Sequence, residues 1–317
     1  MNNNRQAIAR TFHTAIKWNG IAYLIRRGSF TLLSLYTYTY MAADAYVAWG
    51  TLMSIMYLTI YMVDAGLRKT IPLYVTSLSA KKHVKIIAGI YLCLSIAIAA
   101  GVTYTLPWLS PYTIIENHPY MTYCVPWLVS VHTMLIGTRL ISHACLHNRT
   151  FTTRESIWTV GEVAVCICML TYTSYSPLFL CISINAAATT GCLITAWIYI
   201  FSYIHSSKEQ YDESRPNITG HMAYMWIIAM LKSISERNII IPVLAWIAPA
   251  SLVAMCKVTY DMVFFVYRAL IKSIDINDTR FLKEEQARRF AFFKLSITVT
   301  HLAAIGAIVC IGMKTYS

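Results

Sequence analysis

Charge is what this sequence has least of. Only 13% of its 317 residues are Asp, Glu, Lys or Arg, about half the roughly 25% usual in soluble domains. No charged residue occurs between Ile86 and Ile115, and none between Val163 and Ser207. About 20 apolar residues are enough to cross a bilayer core as helix. Such runs are too long for barrel strands, and backbone groups inside a membrane must be satisfied within the segment. The composition therefore excludes intrinsic disorder, a secreted disulfide scaffold and an ordinary soluble enzyme. The expected class is an all-α, polytopic membrane bundle.

Acid is scarcer than base, with 14 Asp+Glu against 26 Lys+Arg and a net charge of +12. In a soluble chain that excess would read as a nucleic-acid footprint. In a membrane chain it reads as Lys and Arg gathered in cytoplasmic loops, and no nucleic-acid partner is expected. Cysteine lacks pattern. The nine cysteines lie mostly in apolar runs without a CxxC, which reads as buried packing residues rather than a disulfide framework or metal cage. The sequence also lacks HExxH, GxSxG, a P-loop and a GxGxxG opening a helix. No enzyme activity, cofactor or metal is expected. The start, MNNNRQAIAR, has no short apolar core before a small-residue cleavage site, so no cleavable signal peptide is expected.

What is there is a series of nine candidate spans: Ile21–Ala43, Ala45–Val63, Ile86–Leu109, Tyr120–Leu140, Ile157–Thr173, Pro177–Ile204, His221–Ile241, Ser251–Ile271 and Ala291–Met313. The loops test the count. Arg68, Lys69, Lys81, Lys82 and Lys85 follow the second span, and Arg149 and Arg154 follow the fourth. Lys208 and Arg215 follow the sixth, and Lys272, Arg280, Lys283, Arg288 and Arg289 follow the eighth. The alternate loops carry only Asp44 and Glu116. By the positive-inside rule the N-terminus is cytoplasmic and the chain is a multi-pass protein of the cytoplasmic membrane. Residues 1–18 form a leader that is either flexible or an amphipathic surface helix. Residues 19–205 form a first six-helix bundle, 206–220 a cytoplasmic linker, and 221–317 a partial second bundle of three helices.

Charges inside spans are expensive, so each is a functional candidate. Arg26 and Arg27 lie in the first span, Glu162 in the fifth, Lys232, Glu236 and Arg237 in the seventh, and Lys257 and Asp261 in the eighth. Arg26 and Arg27 either snorkel to the inner interface or point inward. Glu162 is either neutral and hydrogen-bonded or lines an aqueous cavity. Lys257 and Asp261 are four apart and can pair on one helix face. If the first helices of the two parts face each other, Arg26, Arg27, Lys232 and Arg237 form a cationic cavity. Guanidinium suits a phosphate there through its paired donors. Glu162 and Asp261 are the candidate ion or proton sites. His143 and His147 share a helical face with Arg139, which reads as a basic stripe for headgroups rather than a metal site.

One stretch carries a resemblance. From Asn19 to Ala80 come a first helix with basic residues, a short turn, a second helix reading AYVAWGTLMS, and then Asp64-Ala65-Gly66-Leu67. This resembles the polysaccharide flippases, the Wzx-like members of the multidrug/oligosaccharidyl-lipid/polysaccharide exporter superfamily, where a similar D-x-G-L stretch ends the second helix. The region from Ser235 to Ile274, with Asn238 and Tyr260, is similar to the start of the family's second lobe. The resemblance implies two six-helix lobes around a central cavity that opens alternately to each side. It implies a lipid-linked oligosaccharide or polysaccharide precursor as cargo, and membrane lipids as partners. Six spans before the linker and three after it depart from the family's twelve or more. A truncated chain, a second chain completing the bundle and a degenerate lobe are all open. A multidrug-type, cation-coupled exporter and a non-transporting membrane scaffold are the alternative functions.

Overall fold

A computed structural model describes residues 21–22, 24–63, 67, 80–109, 121–144, 148–206, 226–227 and 237–272. Among them are eight helices and no strand. Helix α1 covers 21–40, with position 23 outside the described residues. Then follow α2 (Ala43–Val63), α3 (Ala80–Leu109), α4 (Met121–Ala144), α5 (Asn148–Tyr172), α6 (Pro177–Ser206), α7 (Arg237–Ile247) and α8 (Ala250–Lys272). Five of these, α2 to α6, are long and apolar enough to cross a membrane. The protein is a multi-pass helical membrane protein.

Five such helices among the described residues stand against the nine spans expected from sequence. Helices α1 and α8 occupy the expected first and eighth spans, but both carry internal charge. The ninth span, and the seventh up to Glu236 apart from Trp226 and Ile227, lie outside the described residues. The seventh does not end at Ile241, because α7 runs on to Ile247. The fifth helix starts at Asn148, not at Ile157. Arg154 and Glu155, expected in a cytoplasmic loop, therefore stand on the helix itself. Charged residues depress any hydropathy window, so a span read from hydropathy starts late wherever charges are paired inside the bundle.

Local sequence explains the joints. Only Met41 and Ala42 separate α1 from α2, and the Met41 N–H donates to the Thr37 carbonyl at 2.8 Å. Asp44 falls in the first turn of α2, where a negative charge meets the positive end of the helix dipole. Pro177 opens α6; its missing N–H is one that a first helical turn leaves unpaired anyway. Polar side chains are kept quiet by their own helices. Thr133, Thr138, Ser142, Ser156 and Thr159 each donate to the carbonyl four residues back, which satisfies a hydroxyl where there is no water.

Helix α2 is shared by two packed clusters. Leu52, Met56 and Ile60 join Tyr91 of α3, Leu128 of α4 and Ile182 of α6. Tyr46 and Val47 join Ile241 of α7 and Val253 of α8. Helix α3 packs on α4, α4 on α6, and α5 on α6, while α7 and α8 pack on α2. Burial ranks the helices: 61% of the apolar window is buried in α2 and 67% in α4, but only 33% in α3. Helix α3 is also the most apolar of the five, with Leu92 and Ile96 exposed. An outer helix richest in apolar residues is the arrangement lipid demands and water forbids. Helices α3 and α4 meet closely because Gly137 lies against the Tyr91 ring.

Candidate functional site

The helices enclose a cavity of about 280 Å³. Helix α1 offers it Arg26, Arg27, Phe30, Thr31, Leu33, Ser34 and Thr37, a spacing that keeps one helical face turned inward. Arg26 to Thr37 spans about 16 Å of helix axis, so the cavity runs along much of α1. Helix α5 offers Glu155, Trp158, Thr159 and Glu162. Its Ile157, Val160 and Val165 are exposed and face the other way. Glu155 and Glu162, seven apart, thus point to the same side.

Three polar clusters line the cavity. In the first, Glu155 accepts from Arg139 Nη2 of α4 through Oε1 and pairs with Arg26 Nη1 of α1 through Oε2. One carboxylate therefore joins three helices. Arg27 lines the cavity beside them.

The second cluster is a chain of hydrogen bonds across four helices. Asn185 Nδ2 of α6 donates to Glu162 Oε1 of α5. Asn185 Oδ1 then remains to accept from His132 Nε2 at 2.7 Å. His132 Nδ1 is left as an acceptor for the Tyr57 hydroxyl of α2, 3.5 Å away. Glu162, Asn185 and His132 are all buried. Glu162 is thus hydrogen-bonded to Asn185 and also lines the cavity.

The third cluster joins α1, α2 and α8. Lys257 Nζ lies 3.3 Å from Asp261 Oδ2 and 3.3 Å from Ser34 Oγ. Ser34 donates to Asp261 Oδ2 at 2.8 Å and shares a 2.7 Å bond with the Tyr46 hydroxyl. Lys257 Nζ also stands 3.9 Å from the centroid of the Tyr46 ring, a cation–π contact. The lysine stem passes over Gly50, where a Cβ would come within 2.5 Å of it.

Of the sequence candidates, Arg26, Arg27, Glu162 and Asp261 line this one cavity. Lys232 lies outside the described residues. Arg237 opens α7, but its side chain is outside them, as are those of His143 and His147. Positions 64–66 of the D-x-G-L stretch also lie outside them. Sequence reasoning missed Glu155, His132 and Asn185, and placed Arg139 only at a helix end. Among the described residues no group of three or more His, Cys, Asp or Glu is placed to hold a metal ion. The lining offers guanidinium, carboxylate, amide and hydroxyl groups with Trp49, Tyr57, Tyr61 and Trp158, a set suited to a polar, anionic, ring-bearing molecule. No family model matches the chain, and no curated protein or solved structure matches it.

Proposed function

We propose that this protein is a flippase-like transporter that carries a lipid-linked oligosaccharide or polysaccharide precursor across the cytoplasmic membrane. The observation that carries the reading is a polar cavity inside an apolar helical bundle, with Arg26, Arg27 and Arg139 at one end. Guanidinium groups bind phosphate oxygens through paired donors. The aromatic side chains along the wall offer faces to sugar rings. The volume of about 280 Å³ sits at the low end of ligand pockets, roughly 300–1,000 Å³. It has room for a phosphate or pyrophosphate with its first sugar, and the rest of a glycan extends beyond it. Movement would be rocking of helix groups about the cavity, with Glu162 and Asp261 as the ion- or proton-coupling carboxylates.

The test is translocation of a fluorescent lipid-linked oligosaccharide in reconstituted vesicles, read by chemical quenching of the outer leaflet. The Arg26→Ala/Arg27→Ala variant should lose most of the translocation rate. Unchanged rates would remove the arginines from the site. The buried Glu162–Asn185–His132 chain favours a second reading, a cation-coupled exporter. In that case Glu162→Gln would abolish transport and the arginine variant would not.

A further inference from the structure

We propose that Glu155 is a resident counter-anion. Its carboxylate occupies the place on Arg26 and Arg139 that an oxyanion of the cargo takes, and binding proceeds by exchange between the two. This rests on the anionic-cargo reading above and deepens it.

The geometry of the cluster points this way. Each carboxylate oxygen of Glu155 serves one guanidinium, Oε1 that of Arg139 and Oε2 that of Arg26. Neither arginine has the two-pronged, parallel pairing with this carboxylate that makes guanidinium–oxyanion recognition strong. A phosphate offers more oxygens and up to two charges where Glu155 offers one. Exposure is graded in the right order. The side chains of Arg139 and Arg26 are 33% and 22% exposed, against 9% for Glu155. All three side chains line the cavity, and the cations are its more accessible members.

Exchange has a mechanical consequence. The Glu155 contacts tie α5 to α1 and to α4. The far end of α1 is tied to α5 separately, through Tyr36 and Thr171 at 2.5 Å. A cargo oxyanion that takes over Arg26 releases one end of α1 from α5 and leaves the other end held. Binding energy is thereby converted into a helix free to pivot, which is what an opening step requires.

The experiment uses the full chain in nanodiscs of zwitterionic lipid at fixed chloride. Inorganic pyrophosphate, titrated by calorimetry, is the first probe, and a polyprenyl pyrophosphate placed in the nanodisc is the second. Glu155→Gln should raise affinity for the oxyanion by about tenfold or more, because the tethered competitor is gone. It should also unfold at lower temperature without pyrophosphate and recover with it, by a larger shift than wild type shows. In an Arg139→Gln background the same change should give little gain, since the contested cation is absent. Glu155→Asp, which keeps the charge but is one methylene too short to serve both arginines, should give an intermediate gain. It decides the matter if Glu155→Gln does not fold.

A gain for both probes supports a shared oxyanion site. A gain for the lipid alone assigns the site to a headgroup, and a gain for inorganic pyrophosphate alone assigns it to free phosphate. Unchanged or weaker binding of both probes, with no recovery of stability, overturns the proposal and leaves Glu155 as a structural clasp. Gain of binding without any translocation in vesicles would sink the transport reading alone. Translocation without a gain would sink the counter-anion alone.

Discussion

Replacing Gly137 by Ala should be costly in a way the sequence does not announce. A Cβ at this position would lie 2.4 Å from Tyr91 Cγ, 2.7 Å from its Cβ and 2.8 Å from Cδ2. These separations are about 1 Å short of ordinary van der Waals contact. The Tyr91 Cβ is fixed to the α3 backbone, so no rotation of the side chain relieves the clash, and Tyr91 is only 1% exposed. The two helices must move apart. Overpacking of this kind costs about 1–3 kcal/mol, and a required backbone shift places it near the upper end. Ala is about 1 kcal/mol better than Gly within a helix, which leaves a net loss of about 2 kcal/mol. Gly161 supplies the control. It is an exposed helical glycine, and nothing stands within 4 Å of its added Cβ. Gly161→Ala should be neutral or gain up to about 1 kcal/mol. The two variants should thus differ by about 2–3 kcal/mol in detergent-driven unfolding, followed by tryptophan fluorescence. If they lie within about 0.5 kcal/mol of each other, below the scale of an overpacked core, the close approach of α3 and α4 at Tyr91 is refuted.

Two further outcomes follow from the same packing. Lys257→Met removes one partner of a buried pair and leaves Asp261 beside Ser34, so stability should fall by about 3–5 kcal/mol, whereas Lys257→Met/Asp261→Leu should recover most of it. Thermal unfolding of both variants checks this, and equal losses would show that something other than the ion pair is at stake. Cys93 and Cys168 are exposed on apolar helices, so in a variant keeping only these two cysteines they should react with a membrane-soluble maleimide. A charged, impermeant maleimide added to either side should not label them, and labelling by it would deny their contact with lipid.

Helix boundaries were legible where sequence carries its own stop and start signals. Pro177 marks the start of α6, and α8 begins at Ala250, one residue before the expected span. The α1–α2 turn falls at Met41–Ala42, beside the expected joint at Asp44. The start of α5 was not legible, because Arg154 and Glu155 read as loop to any scale that scores residues one at a time. Their cost is removed by partners on other helices: Arg154 Nη1 donates to the Thr195 carbonyl of α6 at 2.5 Å, and Glu155 meets Arg26 and Arg139.

The same asymmetry decided which parts of the site could be read. Lys257 and Asp261 stand four apart on one helix, and their pairing follows from helix geometry alone. Arg26, Arg139 and Glu155 stand on three helices, and Glu162, His132 and Asn185 on three more positions of the same bundle. No periodicity within one helix encodes such pairs. A lone charge in an apolar run therefore gives reliable notice that a partner exists and none of where it lies. Glu162 gave that notice. Glu155 did not, because its neighbours Arg149 and Arg154 disguised its helix as a loop. The face it shares with Glu162, two helical turns on, becomes visible only once α5 is known to begin at Asn148. The residue on which the binding argument turns was thus hidden by the same compensation that makes it tolerable inside a membrane.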